Sequence, residues 1–412
     1  MLVIGSLLIA WLVLTALLLG RQASTLRALW REPMLARPIL IVESDDWGPG
    51  PAADAALLVR LHHLLAAFRD ADGRPAVMTL GVVLGKPDGA AILAADCRVY
   101  YRHSLGETRY APIADAMRAG CAAGVFALQR HGLEHCWPQS LLGHARTDER
   151  LRRWLADPDA RSEALPSTLQ SRWADTGALP STPLPARAVA AAVTDEQTLF
   201  ASIFGRAPSV AVPNTFVWNE TVERAWAASG VRCVVTCGRQ FEGRAADGAL
   251  MPPSRTIRNG DQGVDSVRYV VRDAYFEPIR GHRAEQVWQA VAQRTALGRP
   301  TLLETHRESF IDPGCAEAAL AELGRALGGV LERHPDVCFV STEQLADVFD
   351  DPQAALRQRS LPARSAIFLR RLRAEAALSR PLKLCGLYLV LPLAVRLAEA
   401  VTPSAAGGRR GC

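Results

Sequence analysis

Residues 39–48 read Ile-Leu-Ile-Val-Glu-Ser-Asp45-Asp46-Trp47-Gly48, and the reading of this stretch decides the fold. Four apolar residues in a row suit a buried strand, and the run ends in two adjacent carboxylates, an indole and a glycine. Adjacent carboxylates repel each other and need a cation, a proton or a helix N-terminus nearby. A turn with a helix cap would meet that need without any chemistry. A second cluster far downstream, His131-Gly-Leu-Glu-His135, points elsewhere. One carboxylate plus two histidines is a common ligand set for a catalytic zinc with an open position.

Working outward, Pro75–Val83 and Gly124–Gln129 are further strand candidates, and the second runs straight into His131. Later candidates are 209–212, 231–236, 267–271, 300–304 and 337–341. Helical patterns at 54–68, 220–229, 285–297 and 316–333 fall between them. Apolar strands without polar alternation, separated by helices, indicate a mostly parallel sheet covered by helices. About eight such units make an α/β fold of the (β/α) barrel type, complete or distorted, rather than an open doubly wound sheet. No GxGxxG or Walker-type loop follows a strand, which removes the main nucleotide-binding alternatives. Two stretches read as insertions, 86–120 and 139–206, either lids over a site or solvated excursions.

The chain has 412 residues, is about half apolar and carries a net charge of +5. That balance, with no RNA-type aromatic motif and no zinc-finger spacing, excludes nucleic acid as a partner. Nine cysteines without regular spacing do not form a disulfide framework. Cys233 and Cys237 read as buried thiols, with metal binding as the alternative.

The two ends differ from the middle. Residues 2–20 carry no charge and suit a transmembrane helix, giving an anchor at 1–21. No basic segment precedes them, while Arg21, Arg27, Arg31 and Arg37 follow within a basic linker at 22–37. The charge bias predicts a single-pass inner-membrane protein with its soluble part, residues 38–350, on the cytoplasmic side. The tail, 351–412, sets Arg370, Arg371, Arg373, Arg380 and Lys383 before a short apolar run broken by Pro392 and Arg396. It reads as an interfacial helix on an anionic leaflet, or as a helix packed on the barrel.

His131 and His135 are four residues apart, so in a helical turn they would share one face and converge on one ion. His306, in Pro300-Thr-Leu-Leu-Glu-Thr-His306-Arg307, again follows an apolar strand. Strand ends of a barrel share the face where loops build active sites. With these three clusters the chain resembles the polysaccharide deacetylase family, the metal-dependent carbohydrate esterases with a NodB-like barrel. Ser44–Gly48 resembles its first motif, a strand ending in Asp-Asp-Gly. His131–His135 resembles its second, and 300–306 its last, a strand ending in Leu-x-His. The stretch Val337–Leu345 is similar to the strand and helix start that close that fold. Arg272–Pro278 and Thr305–Arg307 look closer to a divergent branch found in surface-polysaccharide biosynthesis.

The resemblance implies that Asp46, His131 and His135 bind a divalent metal, with zinc favoured by the two nitrogens and one oxygen. It implies Asp45 as general base and His306 as general acid in removing acetyl groups from an N-acetylated sugar. That substrate would belong to a surface polysaccharide or its lipid-linked precursor, handled beside polysaccharide-assembly proteins. Trp47, Trp218, Arg272 and Arg307 are the substrate-binding candidates, with Trp218 as an apolar wall. One departure stands out. The family's Arg-x-Pro-Tyr arginine, which orients the catalytic aspartate, is absent from Ala211–Phe216. Arg272 and Arg307 are its candidate replacements. Two rival readings follow: a catalytically inactive glycan-binding or assembly protein of the same fold, and an inverted-motif zinc peptidase with Glu134 as base.

Overall fold

The computed structural model describes residues 2–400. Its central strand is Ile39–Trp47, and all nine residues are buried. This strand runs parallel to Met78–Val82 on one side and to Thr301–His306 on the other. Beyond Met78–Val82 follow Phe126–Arg130, Val210–Ala211, Cys233–Thr236 and Arg268–Val271, every pair parallel. Ala274–Tyr275, just past Val271, pairs in parallel with Thr301–His306. One segment, 268–275, therefore joins both ends of the sheet, which curls round through seven parallel positions.

About eight units were expected from the strand-like runs. The last candidate, 337–341, shrinks to Cys338–Phe339 and pairs only with Ile39 and Leu40 at the foot of the central strand. The barrel is also distorted. Val210–Ala211 meets Phe126–Arg130 through the single pair Arg130–Ala211. Buried Arg130 fills the splay, donating to the Pro208 and Ser229 carbonyls and to Ser229 Oγ at 2.8–2.9 Å.

Helices cover the outer face. In Ala53–Ala66, Leu58, Leu61 and Leu65 recur at helical spacing and join Met78, Leu80 and Val82 in the main core. The proposed insertions are only partly excursions. Residues 85–104 form an antiparallel hairpin, Gly85–Pro87 with Arg102–Ser104, carrying the helix Gly89–Ala94. Ala111–Ala122, however, is a covering helix with Ile113 and Met117 in the main core. Likewise, Ala186–Phe204 covers the barrel, while Pro138–Ala145 and Glu149–Ala156 build a satellite core with Leu165, Leu169 and Ile92.

Residues 39–291 and 301–350 make up this unit; residues 1–38, 292–300 and 351–412 form a second. The stretch expected as a basic linker is instead folded there. Ala23–Arg31 is a helix with Leu29 buried. Buried Arg371 donates to five carbonyls, those of Leu29, Glu32, Pro33, Leu297 and Gly298, at 2.8–3.3 Å. The helix Leu387–Ala400 continues through Pro392 and Arg396, the two residues that interrupt its apolar run. No single helix among the described residues is long and apolar enough to cross a membrane. The terminal helices form two bent pairs, 4–20 with 23–31 at 65° and 376–384 with 387–400 at 107°. The expected single-pass anchor at 1–21 thus has no single-helix span behind it, and residues 401–412 of the tail lie outside the described residues.

Candidate active site

Asp45 and Asp46 are separated by a local irregularity of the central strand. Its register with Met78–Val82 shifts between Ser44 and Trp47, and Asp46 sits at φ 71°, a region sparsely used by non-glycine residues. Such strain at a strand exit is a common mark of a functional site. Two glycines permit the geometry. A Cβ on Gly48 would lie 2.2 Å from the Val83 carbonyl oxygen, and one on Gly81 2.3 Å from Asp45 Oδ1.

His131 follows Phe126–Arg130 directly, but residues 131–132 are irregular and 133–136 form bends, with no helical turn between the histidines. Gly132 is at φ 96° and donates its N–H to Glu196 at 3.0 Å, while Asn214 Nδ2 donates to the His131 carbonyl at 2.8 Å. The two imidazoles converge without a helix. His131 Nδ1 lies 3.0 Å from the Val212 carbonyl. A carbonyl only accepts, so the proton belongs on Nδ1 and Nε2 presents its lone pair.

His131 Nε2 and His135 Nε2 lie 3.2 and 2.9 Å from Asp46 Oδ1. One ligand atom from each residue falls within 4.8 Å of the others. Asp46 Oδ1 is buried yet accepts no well-aligned hydrogen bond, and buried His135 Nδ1 has no partner among the described residues. Two ligands each about 2.1 Å from a tetrahedral ion sit roughly 3.4 Å apart. Burial alone would raise the Asp46 carboxyl; the facing histidines hold it well below its ordinary value of 3.8. The three side chains fit a divalent cation.

Arg272, at the end of Arg268–Val271, is buried inside the barrel. Its Nη2 donates to Asp45 Oδ2 at 2.7 Å and its Nη1 to Glu43 Oε2 at 3.0 Å, and Nε lies 3.3 Å from Glu304 Oε2. The arginine missing from 211–216 thus has a counterpart arriving from another strand, with the Phe216 ring centroid 5.3 Å from its guanidinium. Burial works to raise Asp45; Arg272, then His131, holds its pKa below 3.8. Glu43, deeper in the barrel, is raised by burial despite the same arginine, and Thr342 Oγ1 donates to it.

Asp45 and His306 are partners in register on neighbouring strands. His306 Nδ1 is held by Glu277 Oε1, and Glu277 Oε2 accepts from Ser309 Oγ at 2.9 Å. Burial opposes charge on this imidazole, but the Glu277 hydrogen bond with the Asp46 and Asp45 carboxylates outweighs it and lifts the pKa to about 10. A bound cation would offset part of that rise, because Asp46 would no longer act as a bare charge. The alkaline limb of any activity using His306 as acid should therefore lie well above 7. Glu277→Gln should move that limb at least one unit toward lower pH, since loss of the carboxylate favours neutral imidazole. A limb unmoved in pH–rate profiles would remove Glu277 from this role.

These groups open on a cavity of about 290 Å³ lined by Asp45, Asp46, His131, His135, Arg272 and His306. Phe216, Tyr275, Gln170 and Glu163 are among the other residues of its walls. Arg307, a substrate candidate, holds a bidentate ion pair with Glu163 at 2.6 and 3.0 Å and lines a smaller cavity with Asp46 and His135. Neither tryptophan expected at the substrate lines this cavity. Trp47 is a core residue donating to Ser44 Oγ at 2.9 Å. Trp218 is buried in a second cluster with its indole N–H on Glu223 at 3.3 Å. Both are apolar bodies with one satisfied polar atom, so their rings serve packing.

Glu134, the base of the peptidase reading, is a buried ion-pair partner of Arg102 and Arg172. The long helix that chemistry needs is absent at 131–136. Cys233 and Cys237 are free and belong to no ligand group; the Asp46–His131–His135 trio alone does so among the described residues. Sequence alone assigns no site role to Glu43, Glu304, Glu277 or Glu163. A signal for two of them existed: Glu43-x-Asp45 and Glu304-x-His306 put carboxylates at alternate positions of apolar strands, hence on the inward face of the barrel.

No protein-family model and no curated protein matches the chain. Solved structures do. A family 4 carbohydrate esterase from Streptomyces lividans in complex with acetate is 12% identical, TM-score 0.35, over 79% of this chain and 98% of that one. Peptidoglycan deacetylase PdaC from Bacillus subtilis is 10% identical, TM-score 0.35, over 76% and 93%. A 4-alpha-glucanotransferase from Thermococcus litoralis is 8% identical, TM-score 0.42, over 84% of this chain and 48% of that one. In these comparisons the chain is similar to carbohydrate esterases, polysaccharide deacetylases and a glucanotransferase.

Proposed function

We propose that the chain is a metal-dependent hydrolase that removes acetyl groups from an N-acetylated sugar of a surface polysaccharide or its lipid-linked precursor. The observation that carries the reading is one cluster holding an Asp–His–His cation site, a clamped carboxylate and a buttressed imidazole. A divalent ion, with zinc favoured, would be held by Asp46, His131 and His135 and would supply Lewis acidity toward water and the acyl oxygen. The rest follows from the chain's own groups. Arg272 occupies Asp45 Oδ2, while buried Asp45 Oδ1 has no hydrogen-bond partner among the described residues, so one oxygen is fixed and the other is free to take a proton. Glu277 fixes His306 Nδ1, leaving Nε2 to protonate the departing amine. Phe216 and Tyr275 line the cavity, aromatic side chains of the kind a sugar ring packs against. The sugar itself is taken from the motif resemblance at Ser44–Gly48, His131–His135 and 300–306.

The inactive-protein reading rested on the missing arginine, and the Arg272–Asp45 pair takes that support away. For location we propose the inner membrane with the barrel on the cytoplasmic side, a reading that rests on the basic residues that follow 2–20 with none before it. The test of function is acetate release from N-acetylglucosamine oligomers by metal-loaded protein. Turnover above the uncatalysed rate that disappears with Asp45→Asn is expected. Saturable glycan binding with no acetate from the wild-type chain would overturn the catalytic reading.

A further inference from the structure

The net charge of +5 conceals a strong asymmetry. The segments of the second unit, 1–38, 292–300 and 351–412, hold 17 of the 47 Lys and Arg but only four of the 42 Asp and Glu. That unit carries +13, and the barrel unit −8.

The basic unit also bears apolar surface that no part of its own core covers. In Leu387–Ala400, Leu391 is buried, and Leu387 and Tyr388 pack on a core shared with Leu29, Leu372, Leu378 and Leu382. The opposite face carries Leu389, 82% exposed, with Leu393 and Leu397, each 61% exposed. Their spacing of four residues keeps them on one side of the helix. A helix apolar on both faces needs a second apolar medium. The N-terminal helix, Leu2–Gly20, belongs to the same assembly: Trp11 Nε1 donates to the Cys385 carbonyl at 2.8 Å, and Leu19 packs on the shared core. It too exposes apolar side chains, among them Ile9, Leu12 and Leu17. Around the C-terminal helices lie Arg373 and Lys383, both over the Tyr388 ring at 5.3 and 5.4 Å. Arg380 and Arg396 are exposed nearby in sequence.

We infer that the two chain ends fold into one composite docking unit for an anionic lipid bilayer, in which Leu389, Leu393 and Leu397 enter the acyl region and the Arg/Lys fringe meets the headgroups. A second copy of the chain is a poorer occupant. A two-fold contact would bring this basic fringe against itself, whereas anionic lipid complements it. The inference is independent of the catalytic reading, because it uses no residue of the barrel.

The test is flotation of the detergent-purified full chain, after detergent removal, with phosphatidylcholine vesicles containing or lacking 30 mol% phosphatidylglycerol. Leu389→Glu/Leu393→Glu/Leu397→Glu should reduce partitioning at least ten-fold with an unchanged far-ultraviolet circular dichroism spectrum. Arg380→Glu/Lys383→Glu, which alters only exposed side chains, should remove the preference for anionic vesicles. Undiminished binding of the triple-leucine variant would overturn the inference and leave the N-terminal helix as sole anchor. Should that variant misfold, an anionic preference surviving in the charge-reversal pair would overturn it equally. A lipid-free dimer abolished by the leucine changes would assign the face to self-association instead.

Discussion

Arg272→Met is expected to lose both activity and stability, and the stability loss should depend on pH. The guanidinium sits among Asp45, Glu43 and Glu304, all buried. Removing the cation of a buried ionic cluster leaves carboxylates uncompensated and costs about 3–5 kcal/mol. The sign follows from the directions of the shifts. Asp45 is held below its ordinary value by Arg272, so its contribution is present above pH 3.8 and fades as pH falls through the lowered value. Glu43 and Glu304 are already raised by burial and are opposed by the same arginine. Without Arg272 all three rise. The deficit should be largest near neutral pH and shrink toward pH 4, where the orphaned groups take up protons. Chemical denaturation of both proteins across pH 4–8 checks this. Turnover at pH 7 should fall at least a hundred-fold, because Asp45 loses the guanidinium that fixes its Oδ2 and favours its ionised form. Arg272→Lys should recover part of the stability but little of the rate, since a single ammonium cannot reproduce the fork that reaches Asp45 and Glu43 together. A stable, fully active Arg272→Met protein would break the link between the clamp and the base.

Asp45→Asn should lower kcat by roughly 10²–10⁴, the range for removal of a positioned general base, with metal content unchanged. Its neighbour Asp46, and not Asp45, shares the ligand cluster. The amide is nearly isosteric, and its oxygen can still accept from Arg272 Nη2, so KM should move little. The informative comparison is with Asp46→Asn, one residue away. That change should lose both metal and rate, while Asp45→Asn loses rate alone. Two variants that behave alike, both losing metal, would mean that the bulge does not separate the roles of the adjacent carboxylates.

The parts legible in the sequence were those where chemistry follows directly on an apolar run. Asp45-Asp46, His131 and His306 each sit at the end of a strand, and a parallel barrel gathers strand ends on one face. Arg272 was visible only as a candidate, since its partnership with Asp45 is made across 227 residues by barrel closure. Glu43 and Glu304 went unread because a charged residue within an apolar run looks like a surface interruption until the strand is known to face a polar barrel interior. The tryptophans erred in the other direction. Aromatic rings beside catalytic residues suggested a substrate wall, yet Trp47 follows the bulge and turns into the core. The seventh-versus-eighth strand question turned on 337–341, whose apolar composition suits a stave but whose pairing stops after two residues. The spacing of His131 and His135 singles out two rings that do converge, but not through a helical turn. Gly132 and the bends around it bring the rings together where a helical turn was expected.

The central claim is the cation site, and the measurement that tests it most directly is metal content by inductively coupled plasma mass spectrometry after zinc loading and desalting. The full-length wild-type chain should be compared with Asp46→Asn and His135→Ala. About one ion per chain in the wild type, and a small fraction of that in both variants, is the predicted result. A folded wild-type protein that retains no zinc, cobalt, nickel or iron, or variants that retain as much as the wild type, would contradict it.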